Sequence, residues 1–187
     1  MHSILPQRIQ AMRSSSATRP YTVVARIDDS PEGFAAAEYA CTLCLKFKVK
    51  FRLIFLYVVA LYRRTGLSLI NRQTDQLNSD IREDAENSMI RCKQFLSRFE
   101  SLVPYEWISV KDEGSVGPIV LDFINENLHT PVDLVVVGRT ANTTIKKIVG
   151  GHVSDYLLAN AKCPVMVVKD QYDVSDDEGD EAEGSKI

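Results

Sequence analysis

Five short apolar runs constrain what this chain can become: Thr22–Ile27, Phe51–Val59, Tyr105–Val110, Val132–Val137 and Val165–Val168. Most are apolar at nearly every position rather than at every second one, the pattern of strands buried on both faces. Between consecutive runs lie stretches whose apolar residues recur at helical spacing, so strand and helix alternate. Alternation of this kind calls for a parallel sheet with helices on both faces. Ligands of such sheets bind beyond the carboxyl ends of the strands, where the strand order reverses. The candidate ends are Asp28-Asp29, Val58-Val59 and Gly138-Arg139-Thr140.

The helical stretches carry their own start and stop signals. Ser30 suits an N-cap, Pro31 the first helical position, and Glu32 the first turn, where the dipole favours an anion. Phe34, Ala37, Cys41 and Cys44 or Leu45 continue that helix. From Leu67 to Val103 there is neither Gly nor Pro, and Leu77, Ile81, Ala85, Met89, Cys92, Leu96 and Phe99 recur at three- and four-residue steps. This predicts a long helix that starts between Ser68 and Asn78 and is ended by Pro104. Gly114 to Gly117 predicts a turn, and Pro118 the start of a helix carrying Ile119, Phe123 and Ile124.

Composition narrows the function classes. A chain of 187 residues suits one domain with modest tails: an arm over 1–20, a domain over 21–169 and a tail over 170–187. The longest strongly apolar stretch, Leu53 to Tyr62, is about half the roughly 20 residues a spanning helix needs, so no membrane role is expected. The tail holds eight acids against Lys186, which leaves 21 basic and 17 acidic residues elsewhere. That dispersed surplus does not point to nucleic acid. The tail itself is too polar to fold alone; it reads as solubilising, with an acidophilic kinase site at Ser175 and protein partners as further readings.

No secretory h-region precedes the domain, so a cytoplasmic location is expected and the four cysteines read as reduced thiols. The arm reads as a flexible leader. Arg8, Arg13, Arg19 and Ser14-Ser15-Ser16 without an acid also fit a mitochondrial transit peptide. Cys41-x-x-Cys44 lies within a predicted helix rather than at its start, and no second Cys or His pair has ligand spacing. The pair therefore reads as core thiols one turn apart, and no metal site is expected.

Several segments, taken in order, resemble the universal stress protein family. They are Ile27-Asp28-Asp29-Ser30, Leu56-Tyr57-Val58-Val59, Gly114, Asp133-Leu-Val-Val-Val-Gly138, Gly151-His-Val-Ser-Asp-Tyr156 and Cys163-Pro-Val-Met-Val-Val168. The resemblance implies a Rossmann-like fold of the adenine nucleotide alpha hydrolase type: a five-stranded parallel sheet in the order 3-2-1-4-5. It also implies a homodimer formed through the last strand. Nucleotide-binding members carry Gly-x2-Gly-x9-Gly-Ser/Thr between strands four and five. There, glycines let backbone N–H groups approach phosphates and a helix-start hydroxyl adds a bond. This chain offers Gly138, Ala141, Gly151 and His152, so two of the four positions depart.

The departures are weighed by size and chemistry. Ala141 adds a methyl group, costing about 1 kcal/mol or more if that position needs a positive φ. His152 keeps a donor but brings a ring, and Ser154 two residues on can supply a hydroxyl. Arg139, Lys146 and Lys147 either favour phosphates or form an ordinary solvated basic loop. The resemblance sets Asp28 near the ribose and adenine and Val58 against the base. Asp28 also suits a turn, and Val58 a core position. The expected binding set is Ile27, Asp28, Val58, Val137, Gly138, Arg139, Thr140, Ala141, Gly151, His152, Val153 and Ser154. It implies a regulatory domain for ATP or AMP, with Mg only beside ATP, no catalytic residue and at most slow ATP hydrolysis. The rival is a dimeric scaffold that has lost nucleotide binding and acts through protein partners. No Walker lysine loop, Gly-x-Ser-x-Gly elbow or helix-start redox pair argues for an enzyme.

Overall fold

A computed structural model describes residues 19–47, 49–64, 68–139 and 153–169. Five strands form one parallel sheet: β1 (Tyr21–Arg26), β2 (Phe51–Leu61), β3 (Tyr105–Glu113), β4 (Leu134–Arg139) and β5 (Val165–Lys169), in the order β3-β2-β1-β4-β5. The chain builds outward from β1 to β3, then crosses back to lay β4 on the other side of β1. The gap beyond β1 and β4 is therefore the switch point. Arm residues 1–18 and tail residues 170–187 lie outside the described residues, as do Thr140, Ala141, Lys146, Lys147, Gly151 and His152.

Helices cover both faces, and each face has its own core. Helices α1 (Pro31–Lys46) and α2 (Ser68–Ser97) pack Ala36, Ala37, Ala40, Cys41, Cys92 and Leu96 onto Val23, Ala25, Phe55 and Val136. On the other face α3 (Val116–Asp122), the π-helical turn Phe123–Asn127 and α4 (Val153–Asn160) cover Val24, Ile54, Leu56, Val58, Val135 and Val137. The alternation along each strand assigns these two sets. Cys41 and Cys44 are both buried in the α1 core as free thiols.

β2 and β3 run on to Leu61 and Glu113, past their expected ends, and three further differences each have a local reason. The fourth strand begins at Leu134, two residues later than expected. Asp133 is occupied as a clamp: its carboxylate accepts from Arg19 at 2.6 Å twice and from the Thr22 N–H at 2.8 Å. The helix after β3 starts at Val116, with Ser115 at the N-cap position and Pro118 in its third position. Only Gly114 needs left-handed backbone there, with φ of 127°. The long helix does begin at Ser68, but Leu77 is exposed where the apolar spacing placed it in the core. Asn78 is buried instead, and its amide bonds both backbone groups of Tyr62, at 2.8 and 2.9 Å.

The Asp133 clamp has a pH signature. Burial works against its charge, but the bonds from Arg19 and from the Thr22 amide outweigh it and hold the carboxyl below its ordinary range. A depressed folded pKa gives stability that is present above the unfolded value of about 3.9 and is lost as pH falls through the folded one. Asp133→Asn is expected to cost about 1–2 kcal/mol at neutral pH. Urea denaturation between roughly pH 5 and 3 should then fall less steeply for the variant than for the parent. Parallel pH profiles would show that the clamp contributes no linkage.

Candidate functional site

The carboxyl end of β1 is where backbone and side chains converge most tightly. Ser30 caps α1 as expected: its hydroxyl accepts the Gly33 N–H at 3.0 Å, with Pro31 in the first helical turn. The same hydroxyl donates to Asp28 Oδ1 at 2.5 Å, and Arg26 lies 2.7 Å from Asp28 Oδ2. A β-carbon added at Gly33 would sit 2.1 Å from Asp28 Oδ1. The carboxylate is therefore seated directly on the first turn of α1, and only glycine at 33 leaves it that seat.

A second close approach lies alongside. At Gly138 an added β-carbon would meet the Glu32 carbonyl oxygen at 2.3 Å. The end of β4 thus abuts the α1 N-terminus backbone to backbone, which sets the width of the switch-point crevice. Arg139 follows, exposed, in register with Lys169 of β5.

Beyond the gap, α4 starts at Val153. Ser154 is 2% exposed, and its Oγ has no hydrogen-bond partner among the described residues. A buried hydroxyl without a partner costs about 1–3 kcal/mol, so a polar ligand atom reaching this one would gain a bond at little further cost. A cavity of about 360 Å³ opens at the carboxyl ends of β2 and β3, walled by Leu61, Tyr62, Ser115, Pro118, Val153 and Tyr156. Among the expected site residues only Val153 lines it.

The remaining expected residues divide by face. Val58, Val137 and Val153 pack in the layer under α3 and α4. Ile27 is fully buried on the opposite face, beneath α1, so its side chain is directed away from them. Thr140, Ala141, Gly151 and His152 fall outside the described residues. Among the described residues no group of three or more His, Cys, Asp or Glu side chains is placed to hold a metal. Asp29 turns outward to Arg91 of α2, at 2.9 Å from its Nε. Burial opposes that charge, yet the Arg91 bond holds the carboxyl below its ordinary range.

Two participants were not singled out from the sequence. Gly33 offered a weak signal, a glycine three residues past an N-cap serine. Arg26 offered a stronger one: a lone charge interrupting the apolar run Val-Val-Ala-Arg-Ile.

The strand order and the paired close approaches at the switch point define a doubly wound α/β domain with its crevice at the ends of β1 and β4. The universal stress protein family profile matches residues 21–169, and the chain belongs to that family. The curated universal stress protein MJ0531 of Methanocaldococcus jannaschii is 24% identical over 147 residues, covering 79% of this chain and 81% of its own length. Among solved structures, UspA of Lactobacillus plantarum aligns with a TM-score of 0.60 at 20% identity, over 81% of this chain and 99% of that one. The protein MJ0577 aligns with a TM-score of 0.57 at 18% identity, over 80% and 95% of the two chains. Those structural likenesses establish a common fold, with the same 3-2-1-4-5 sheet expected from the sequence.

Proposed function

We propose that this chain is a regulatory nucleotide-binding domain that holds ATP or AMP in the crevice at the carboxyl ends of β1, β2 and β4. The observation that carries the reading is Ser154: a buried hydroxyl without a partner among the described residues, at the start of the helix that follows the Gly138–His152 segment. It supplies a donor where His152 replaces the hydroxyl of the nucleotide-binding pattern. The seated Asp28 carboxylate suits the same ligand as an acceptor for the adenine amine. Magnesium enters only with ATP, beside its phosphates. The domain turns over ATP slowly at most, and works by being occupied or empty.

Its dimer uses β5, an edge strand whose residues Val165 to Val168 are all partly exposed. It resides in the cytoplasm, and the acidic tail serves as an attachment for protein partners. The rival, a dimeric scaffold without nucleotide, is favoured by one observation: Asp28 is already paired with Arg26.

The test is direct. Denaturing the purified protein is expected to release an adenine nucleotide, and calorimetry is expected to register ATP and AMP at submillimolar concentration. Replacing Ala141 by Gly together with His152 by Ser should tighten binding by about 5- to 30-fold, from roughly 1 kcal/mol at each position. No released nucleotide and no heat at millimolar ligand would leave the scaffold standing.

A further inference from the structure

Arg26 lies on the sheet face beneath α3 and α4. It is two residues past Val24 and in register with Leu56, both members of that apolar core. Its side chain is 14% exposed, and its Nε is buried with no hydrogen-bond partner among the described residues. A guanidinium has five N–H donors and no acceptor, and an unpartnered buried donor is costly. Buried guanidinium–carboxylate pairs are commonly no more stable than apolar residues of the same volume. Packing therefore does not account for an arginine among Val24, Leu56 and Val137; a methionine would fill the space without a stranded donor. A residue that breaks a local rule without a packing return points to function.

The chemistry of the pair indicates which function. Asp28 Oδ1 is engaged by Ser30 and Oδ2 by Arg26. A neutral ribose hydroxyl is a poor competitor for a carboxylate already facing a guanidinium. An oxyanion, by contrast, matches the planar edge of the guanidinium with two parallel bonds, and it satisfies the stranded donor once the side chain turns out of its buried seat. Dinucleotide-binding folds show this logic: a strand-end carboxylate takes the ribose hydroxyl, whereas an arginine nearby accommodates a phosphate on that same oxygen. We infer that Arg26 is a specificity-determining residue, and that it selects adenine nucleotides carrying a second phosphate on the ribose 2′ or 3′ oxygen over AMP. The inference rests on the nucleotide reading above and sharpens it.

The full chain, Arg26→Met and Arg26→Lys are titrated calorimetrically with AMP, adenosine 2′,5′-bisphosphate and adenosine 3′,5′-bisphosphate at one salt concentration. The native chain is expected to bind one bisphosphate about tenfold more tightly than AMP. Arg26→Met should bring that ratio to about 1, and Arg26→Lys, which keeps the charge but loses the fork, should leave roughly a third of it. Which of the two isomers is preferred locates the oxygen that faces Arg26. Circular dichroism checks that both variants are folded, with a lower melting temperature expected for Arg26→Met because Asp28 loses its cation; if Arg26→Met does not fold, the lysine variant carries the test. Equal affinity of the native chain for all three ligands, or a preference that survives both substitutions, overturns the role of Arg26 and leaves the nucleotide reading intact. No heat from any ligand overturns both.

Discussion

Gly138→Ala is expected to destabilise the domain by about 3 kcal/mol, the upper end for an overpacked site. The added β-carbon would lie 2.3 Å from the Glu32 carbonyl oxygen and 2.5 Å from its carbon, with Glu32 Cβ at 3.0 Å. A flexible side chain could swing away; two of these three atoms are main chain. Relief requires the end of β4 to separate from the first turn of α1. That shift strains the ladder from Val135↔Val165 to Arg139↔Lys169 and widens the crevice by the same motion. Urea denaturation followed by far-ultraviolet circular dichroism reads the effect. A loss under about 0.5 kcal/mol, the ordinary range of a surface change, would mean that the two backbones have slack between them.

Phe55→Ala should cost more, about 3–5 kcal/mol. Phe55 heads the largest fully buried side chains, in the middle of β2 and in the core under α1 and α2. Its ring meets Tyr105 edge-on at 5.2 Å between centroids, so truncation removes an aromatic contact as well as buried area. The cavity would be bounded by strands on either side, in register with Ala25 and Trp107, which cannot collapse without breaking the sheet. Against a total of about 5–15 kcal/mol for a domain of this kind, such a loss brings the variant close to unfolding. Fluorescence of Trp107, the single tryptophan, follows the transition. A loss below about 1.5 kcal/mol would show that the neighbours close over the gap.

The elements were legible because their signals are local. Ser30-Pro31-Glu32 specifies a helix start through chemistry within one turn, and the stretch without Gly or Pro specifies the long helix, although that helix ends at Ser97 and not at the expected stop, Pro104. The strand order was legible through family resemblance, since no local signal orders strands. Misreadings arose where a residue works for a distant one. Asp133 reads as part of the apolar run Val132–Val137, but it clamps Arg19 and the Thr22 amide more than a hundred residues away. Leu77 fits the helical stripe, yet the buried position beside it goes to Asn78, which holds the exit of β2. At the site the same division applies. Asp28 and Gly138 stand out in the sequence because they end strands, whereas the pairing of Arg26 with Asp28 depends on which face the residue at 26 presents. That face follows from strand alternation, but its consequence appears only once Leu56 and Val137 are seen to flank it.

The buried thiols described with the α1 core carry one more implication. Burial pushes Cys41 and Cys92 up to about 12 and Cys44 up to about 11. At physiological pH these three remain almost wholly protonated, and the protonated form is the unreactive one. Peroxides and alkylating agents therefore meet inert sulfur while the chain is closed. Oxidants would reach those three positions only in a molecule that had come open, and a label found on them would mark such opening.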